Sequence, residues 1–81
     1  MTSNQLVTID KYLALTTGLA SQNPVLTKGE AGIRSEIAEL DANIDNQVQA
    51  LTNGQSRTLD LIQWRNFLAL LVGQDQRTWP L

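Results

Sequence analysis

Aliphatic residues recur at Ile33, Ile37, Leu40, Ile44, Val48 and Leu51, spaced by four, three, four, four and three, with only polar residues and alanine between them. That period predicts a long helix with a single narrow apolar seam. A seam of about two positions in seven is what a coiled coil presents, whereas a helix lying on a globular core usually shows a wider stripe. Read as heptads, Ile37, Leu40, Ile44 and Leu51 take core positions and Gln47 takes the next one, where an amide would set register or stoichiometry. The run is shorter than the three to four heptads that specify a coiled coil, so a second arrangement stays open: an amphipathic helix inside its own monomeric bundle. Under the first arrangement, Ile33, Ile37, Leu40, Ile44, Val48 and Leu51 form the oligomerisation surface.

Upstream, Thr8 is a plausible N-cap with Asp10 in the first turn. Ile9, Leu13, Thr16 and Ala20, with Tyr12, Leu15 and Leu19 alongside, trace a helical face, so a short helix is expected over 8–20. Residues 5–9 also fit a short strand or an extended lead-in. Pro24 pushes Asn23 out of the helical region and ends this first segment. Thr27-Lys28-Gly29-Glu30 has the spacing of a capping box, with the Thr27 hydroxyl accepting from the Glu30 amide and the Glu30 carboxylate reaching back. The long helix is expected to begin near 28, or at Ile33 if Gly29 and Gly32 hold off its first turn. Those glycines either allow a close backbone approach or mark the change from extended to helical chain.

Downstream, residues 52–56 read as a break, with Gly54 suited to a C-cap and Ser56 or Thr58 to the next N-cap. A continuous helix through Gly54 is the alternative. The last helix, expected over 58–73, carries Leu59, Leu61, Ile62, Trp64, Phe67, Leu68, Leu70, Leu71 and Val72, and its second half is apolar on nearly every face. Such a helix must be covered all round, more than one partner helix can provide. The polar residues 74–78 then lead to Trp79, which either docks on a partner or folds back. Trp64, Phe67, Leu71 and Trp79 are the candidate docking residues. The organisation expected is one domain over 1–81: an N-terminal arm with a short helix (1–26), a long helix (27–53), a C-terminal helix (56–73) and a tail (74–81).

Composition narrows the chemistry. A chain of 81 residues buries only roughly 60% of its unfolded surface, and this one has neither cysteine nor histidine, which removes disulfides, thiolate zinc sites and imidazole ligands. Oligomerisation or docking is then the expected support. Six basic and eight acidic residues give a net charge of −2, with the signs interspersed, so nucleic acid is not an expected partner. Arg57, Arg65 and Arg77 read as ordinary solvated charges. The densest apolar run, 67–72, falls well short of the about 20 residues a membrane span needs, and no secretory leader is expected. Glu36 with Glu39, and Asp41 with Asp45, share helical faces and are the only carboxylate pairs suited to acid–base work or a hard cation; with Arg34 and amides nearby they read as a solvated outer face. No nucleophile with a base and no phosphate-cradling glycine loop is recognised. No enzyme activity, metal or cofactor is expected.

Asn23-Pro24-Val25-Leu26-Thr27-Lys28-Gly29-Glu30-Ala31-Gly32-Ile33 resembles a segment of tailed-bacteriophage fibre and head-fibre proteins, in which an Asn-Pro-Val-Leu run precedes Gly-Glu-x-Gly and an aliphatic residue. The likeness covers eleven residues, and the chain leaves the family's β-rich continuation at Arg34. The resemblance implies a virion protein, commonly a homotrimer, attached to a larger capsid or tail protein. The fold expected is all-α, with short, long and C-terminal helices forming a helical hairpin or an oligomeric coiled-coil bundle. The expected function is that of a non-enzymatic structural or assembly protein of a phage particle (decoration, fibre or adaptor), located in the virion, or in the cytoplasm if not of phage origin. The alternative is a small helical regulatory or inhibitor module that binds a host protein.

Overall fold

Residues 5–17, 24–50 and 56–80 are described in the computed structural model of the chain. They form α1 (Ile9–Thr17), a 3₁₀ turn (Pro24–Lys28), α2 (Gly29–Ala50) and α3 (Ser56–Leu71), with no strand among them. The chain is thus all-helical, as the periodicity predicts. Residues 5–8 are an irregular lead-in and 74–80 an irregular tail. Leu51 and Gly54, along with Leu19 and Ala20 at the expected end of the first helix, lie outside the described residues.

Local sequence explains most of the boundaries. At α1 the Thr8 Oγ1 accepts from the Lys11 amide at 3.2 Å, the expected N-cap. The capping box at Thr27 is replaced by something tighter. Pro24 starts a 3₁₀ turn, and the Thr27 hydroxyl donates back to the Pro24 carbonyl at 2.7 Å. Glu30 pairs with Arg34 one turn on, at 2.9 Å. The step from 3₁₀ turn into α2 is made by Gly29 at φ +78°, and Gly32 sits where a Cβ would lie 2.3 Å from the Lys28 Cβ. Thr58 lies inside the first turn of α3 and caps nothing; its hydroxyl donates to Gln47 Oε1 at 2.7 Å.

α2 and α3 run antiparallel. Three cross-links occur in reverse order along the two helices: Gln47 to Thr58, Asp41 to Arg65, and Arg34 to the Val72 carbonyl. The core between them contains Ile33, Ile37, Leu40 and Ile44 from α2 and Ile62, Phe67, Leu68 and Ala69 from α3, closed by Val7, Val25 and Trp79. α1 packs against α3, where the rings of Tyr12, Phe67 and Trp64 lie in series at centroid distances of 5.5 and 5.3 Å.

The seam of α2 is thus used within one chain. Ile37 and Ile44 are fully buried, Ile33 and Leu40 nearly so, and Val48 is half-buried against the same core. A coiled-coil partner would have to displace α3 to reach them. Gln47, the expected register residue, is occupied by Thr58 and by Asn43 at 3.1 Å.

Part of the cover for α3 also comes from within, while Leu61, Trp64, Leu70, Leu71 and Val72 stay half-buried. Gly73, at φ +68°, ends the helix in a Schellman turn, in which Gln74 donates to the Ala69 carbonyl at 2.9 Å and Gly73 to that of Leu70 at 3.4 Å. The tail then doubles back, and Phe67, Leu68 and Ala69 end fully buried. The accessible surface is 5114 Å², close to the about 4,900 Å² expected of a compact folded chain of 9.0 kDa. No helix is long and apolar enough to cross a membrane among the described residues.

Candidate functional site: a polar clamp and an apolar surface

The polar residues of this chain converge on its own two ends. The Gln5 carboxamide both donates to the Trp79 carbonyl and accepts from the Trp79 amide. The Gln76 carboxamide treats Val7 the same way, accepting from its amide at 2.6 Å and donating to its carbonyl at 2.8 Å. Asn66, fully buried on α3, accepts from the Arg77 amide at 2.9 Å and donates to the Arg77 carbonyl at 2.8 Å and the Gln5 carbonyl at 2.6 Å. Three side-chain amides thus each pair with the backbone N–H and C=O of one residue, Trp79, Val7 and Arg77, in the two-bond pattern that neighbouring strands use. The terminal segments are zipped to α3 and to each other without forming a sheet.

Charge completes the clamp. Arg65 is 4% exposed; it donates to Asp41 at 2.7 and 3.3 Å, to Asn66 Oδ1 at 2.9 Å and to the Asp75 carbonyl at 2.8 Å. Asp45 accepts from Arg77 at 2.8 Å and from the Trp79 indole at 2.6 Å, while the Arg77 guanidinium lies 4.3 Å over the Trp79 ring. Arg65 is therefore a buried structural tie and not the ordinary solvated charge the composition predicts, whereas Arg77 is exposed to solvent as expected and also links the tail to α2. Asp41 and Asp45 likewise face α3 and the tail, not an open outer face. Arg34 is exposed but bridges α2 to the end of α3, donating to the Val72 carbonyl at 2.7 Å and to Gln74 at 3.2 Å.

The candidate docking residues separate on burial. Phe67 is fully buried and Trp79 is 4% exposed, so both are interior; Trp79 folds back onto the chain's own helices. Leu71 and Trp64 are half-buried, and Trp64 lines a surface pocket. Glu36 and Glu39 sit on α2 without a third carboxylate, and no group of three or more metal-ligating side chains occurs among the described residues. Every buried side-chain nitrogen and oxygen described has a hydrogen-bond partner.

What sequence reasoning missed is the outward face of α1. The inward face is Tyr12 and Leu15, whereas Ile9 is 71% exposed, Leu13 is 55% exposed, and Leu6 just before them is 41% exposed. Among the described residues, Leu15 of α1 and Asp60, Gln63 and Trp64 of α3 line a pocket of about 330 Å³. The signal was present: two apolar stripes side by side on a nine-residue helix are more than one packing surface needs. Compared with known proteins, the chain matches no family model, no curated protein and no solved structure.

Proposed function

We propose that this chain is a non-enzymatic structural or assembly protein that works by contact with other protein surfaces. The observation that carries the reading is the exposed aliphatic set Leu6, Ile9 and Leu13 on a fold whose described buried polar atoms are all satisfied. Clustered apolar side chains left in water on a small domain mark contact surfaces. The converging polar residues point the same way. Asp41, Asp45, Arg65, Asn66 and Gln5 are all engaged in holding the ends of the chain, which leaves them a structural task.

The finer reading, a component of a phage particle such as a decoration, fibre or adaptor protein, draws its support from the likeness of residues 23–33. A regulatory module acting through Trp64, Phe67 and Trp79 draws less, because Phe67 and Trp79 are interior. Gradient sedimentation of the tagged chain from its native cells tests the reading. It is expected to travel with large particles containing capsid or tail proteins; recovery wholly in the light fractions would overturn it.

A further inference from the structure

We propose that the lead-in over residues 5–8 and the tail over 74–80 form one strap that opens and closes as a single unit across the α2–α3 core, so that release of either segment releases the other. The proposal concerns a moving part of the fold and goes beyond the assembly reading without resting on it. Each hydrogen bond described between the two segments has a side-chain carboxamide on one side: Gln5 on the Trp79 backbone and Gln76 on that of Val7. Asn66 joins them a second time, bonding the Gln5 carbonyl and both backbone groups of Arg77.

This reciprocity makes the half-open states the costly ones. If the lead-in leaves alone, the N–H and C=O of Trp79 and the Gln76 carboxamide lose their partners together. If the tail leaves alone, the Gln5 carboxamide and both backbone groups of Val7 are stranded. Gln5, Val7 and Trp79 are each 4% exposed or less, and an enclosed polar group without a partner costs more than its hydrogen bond contributes. With both segments out, the same groups reach water. Arg65 and Asp45 also tie the tail to the helices, but they leave the Trp79 backbone and Gln76 unsatisfied once Gln5 and Val7 are gone. Of the buried apolar core only Val7 and Trp79 belong to the strap, the rest belonging to α2, α3 and the 3₁₀ turn. Segments with few buried apolar contacts open at a lower free energy than the core. By linkage, whatever draws one segment away weakens the hold on the other to the same degree.

Native-state hydrogen exchange, followed by NMR on the full purified chain in urea below the unfolding transition, reads the strap. In the wild type the amides of Val7, Arg77 and Trp79 are expected to share one opening free energy and one urea slope. They are also expected to be less protected than the amides of Ile37 and Ile44 in α2. Gln5→Ala removes a carboxamide that bonds neither the Val7 nor the Arg77 amide, yet it should accelerate exchange at both by at least about tenfold. Gln76→Ala removes one that bonds neither the Arg77 nor the Trp79 amide, and should do the same at those two. Acceleration confined to Trp79 in the first variant, or to Val7 in the second, would overturn the proposal. So would wild-type protection at the three amides equal to that of α2. Should either variant fail to fold, the wild-type measurement decides alone, since three different urea slopes mean three separate openings.

Discussion

The side chain of Gln5 holds the backbone of Trp79 by both its N–H and its C=O, across nearly the whole length of the chain. A residue in the lead-in thereby fixes the tail, and through Trp79 it closes the core between α2 and α3. Gln5→Ala leaves the buried backbone N–H and C=O of Trp79 without partners, which should cost roughly 2–3 kcal/mol. Urea denaturation should show the loss as a lower midpoint at an unchanged slope. Gln5→Glu should be worse, since it turns a carboxylate oxygen toward the Trp79 carbonyl. A variant as stable as the wild type would mean that the clamp contributes nothing to stability.

Asn66 makes four hydrogen bonds from a fully buried position, two by its amide nitrogen and two by its oxygen. Asn66→Ala is expected to destabilise by about 3 kcal/mol, through unpartnered groups on Gln5, Arg65 and Arg77. Asn66→Asp should cost at least as much despite its added attraction to Arg65, because the donor facing two carbonyls is lost. Thermal unfolding followed by circular dichroism compares the two. An aspartate variant more stable than the alanine variant would show that charge, not the donor, governs this position.

Arg65 and Asp41 form the most enclosed ion pair described, with side-chain exposures of 5% and 24%. Removing the guanidinium alone should cost about 3 kcal/mol or more, since it strips partners from Asp41, Asn66 and the Asp75 carbonyl together. Arg65→Lys should recover only part, because an ammonium cannot span the same fork of acceptors. A double-mutant cycle with Asp41→Asn should give a coupling of about 1 kcal/mol or more. The exposed Glu30–Arg34 pair, tested alongside, should contribute well under 1 kcal/mol and weaken in salt. Equal couplings for the two pairs would contradict the burial difference.

Two glycines near the start of α2 should fail for different reasons. Gly29→Ala forces a side chain into the left-handed region with nothing within 4 Å, so its cost of about 1 kcal/mol is backbone strain alone. Gly32→Ala drives a Cβ against that of Lys28. Adding Lys28→Gly should therefore relieve the Gly32→Ala variant and leave the Gly29→Ala variant unrelieved, as measured by coupling energies from chemical denaturation. Relief of both, or of neither, would contradict the geometry.

The sequence alone determined the main helices, though not the 3₁₀ turn over Pro24–Lys28. The three-and-four spacing from Ile33 to Val48 fixed α2 and its buried line, because only side chains three and four residues apart stack on one helical face. The Thr8 cap and the apolar run from Phe67 were legible for similar local reasons, and Gly73 could have been read as the end of α3, since glycine after an apolar helical run suits a left-handed cap. Only the tertiary structure decided what covers what. A narrow seam is equally satisfied by another chain or by a neighbouring helix, and nothing in its period distinguishes them. Here the covering surfaces are α3, the lead-in at Val7 and the returning tail at Trp79. The pairings that bring them there, Gln5 with Trp79, Gln76 with Val7 and Asn66 with Arg77, join residues 74, 69 and 11 positions apart. Hydrogen bonds over such separations leave no periodic trace, because they depend on chain reversal and not on the repeat of any one element. The same holds for the outer face of α1: its two apolar stripes are visible in the sequence, but which of them meets α3 is settled only when the Tyr12 ring packs, tilted, against Phe67 and leaves Ile9 and Leu13 exposed.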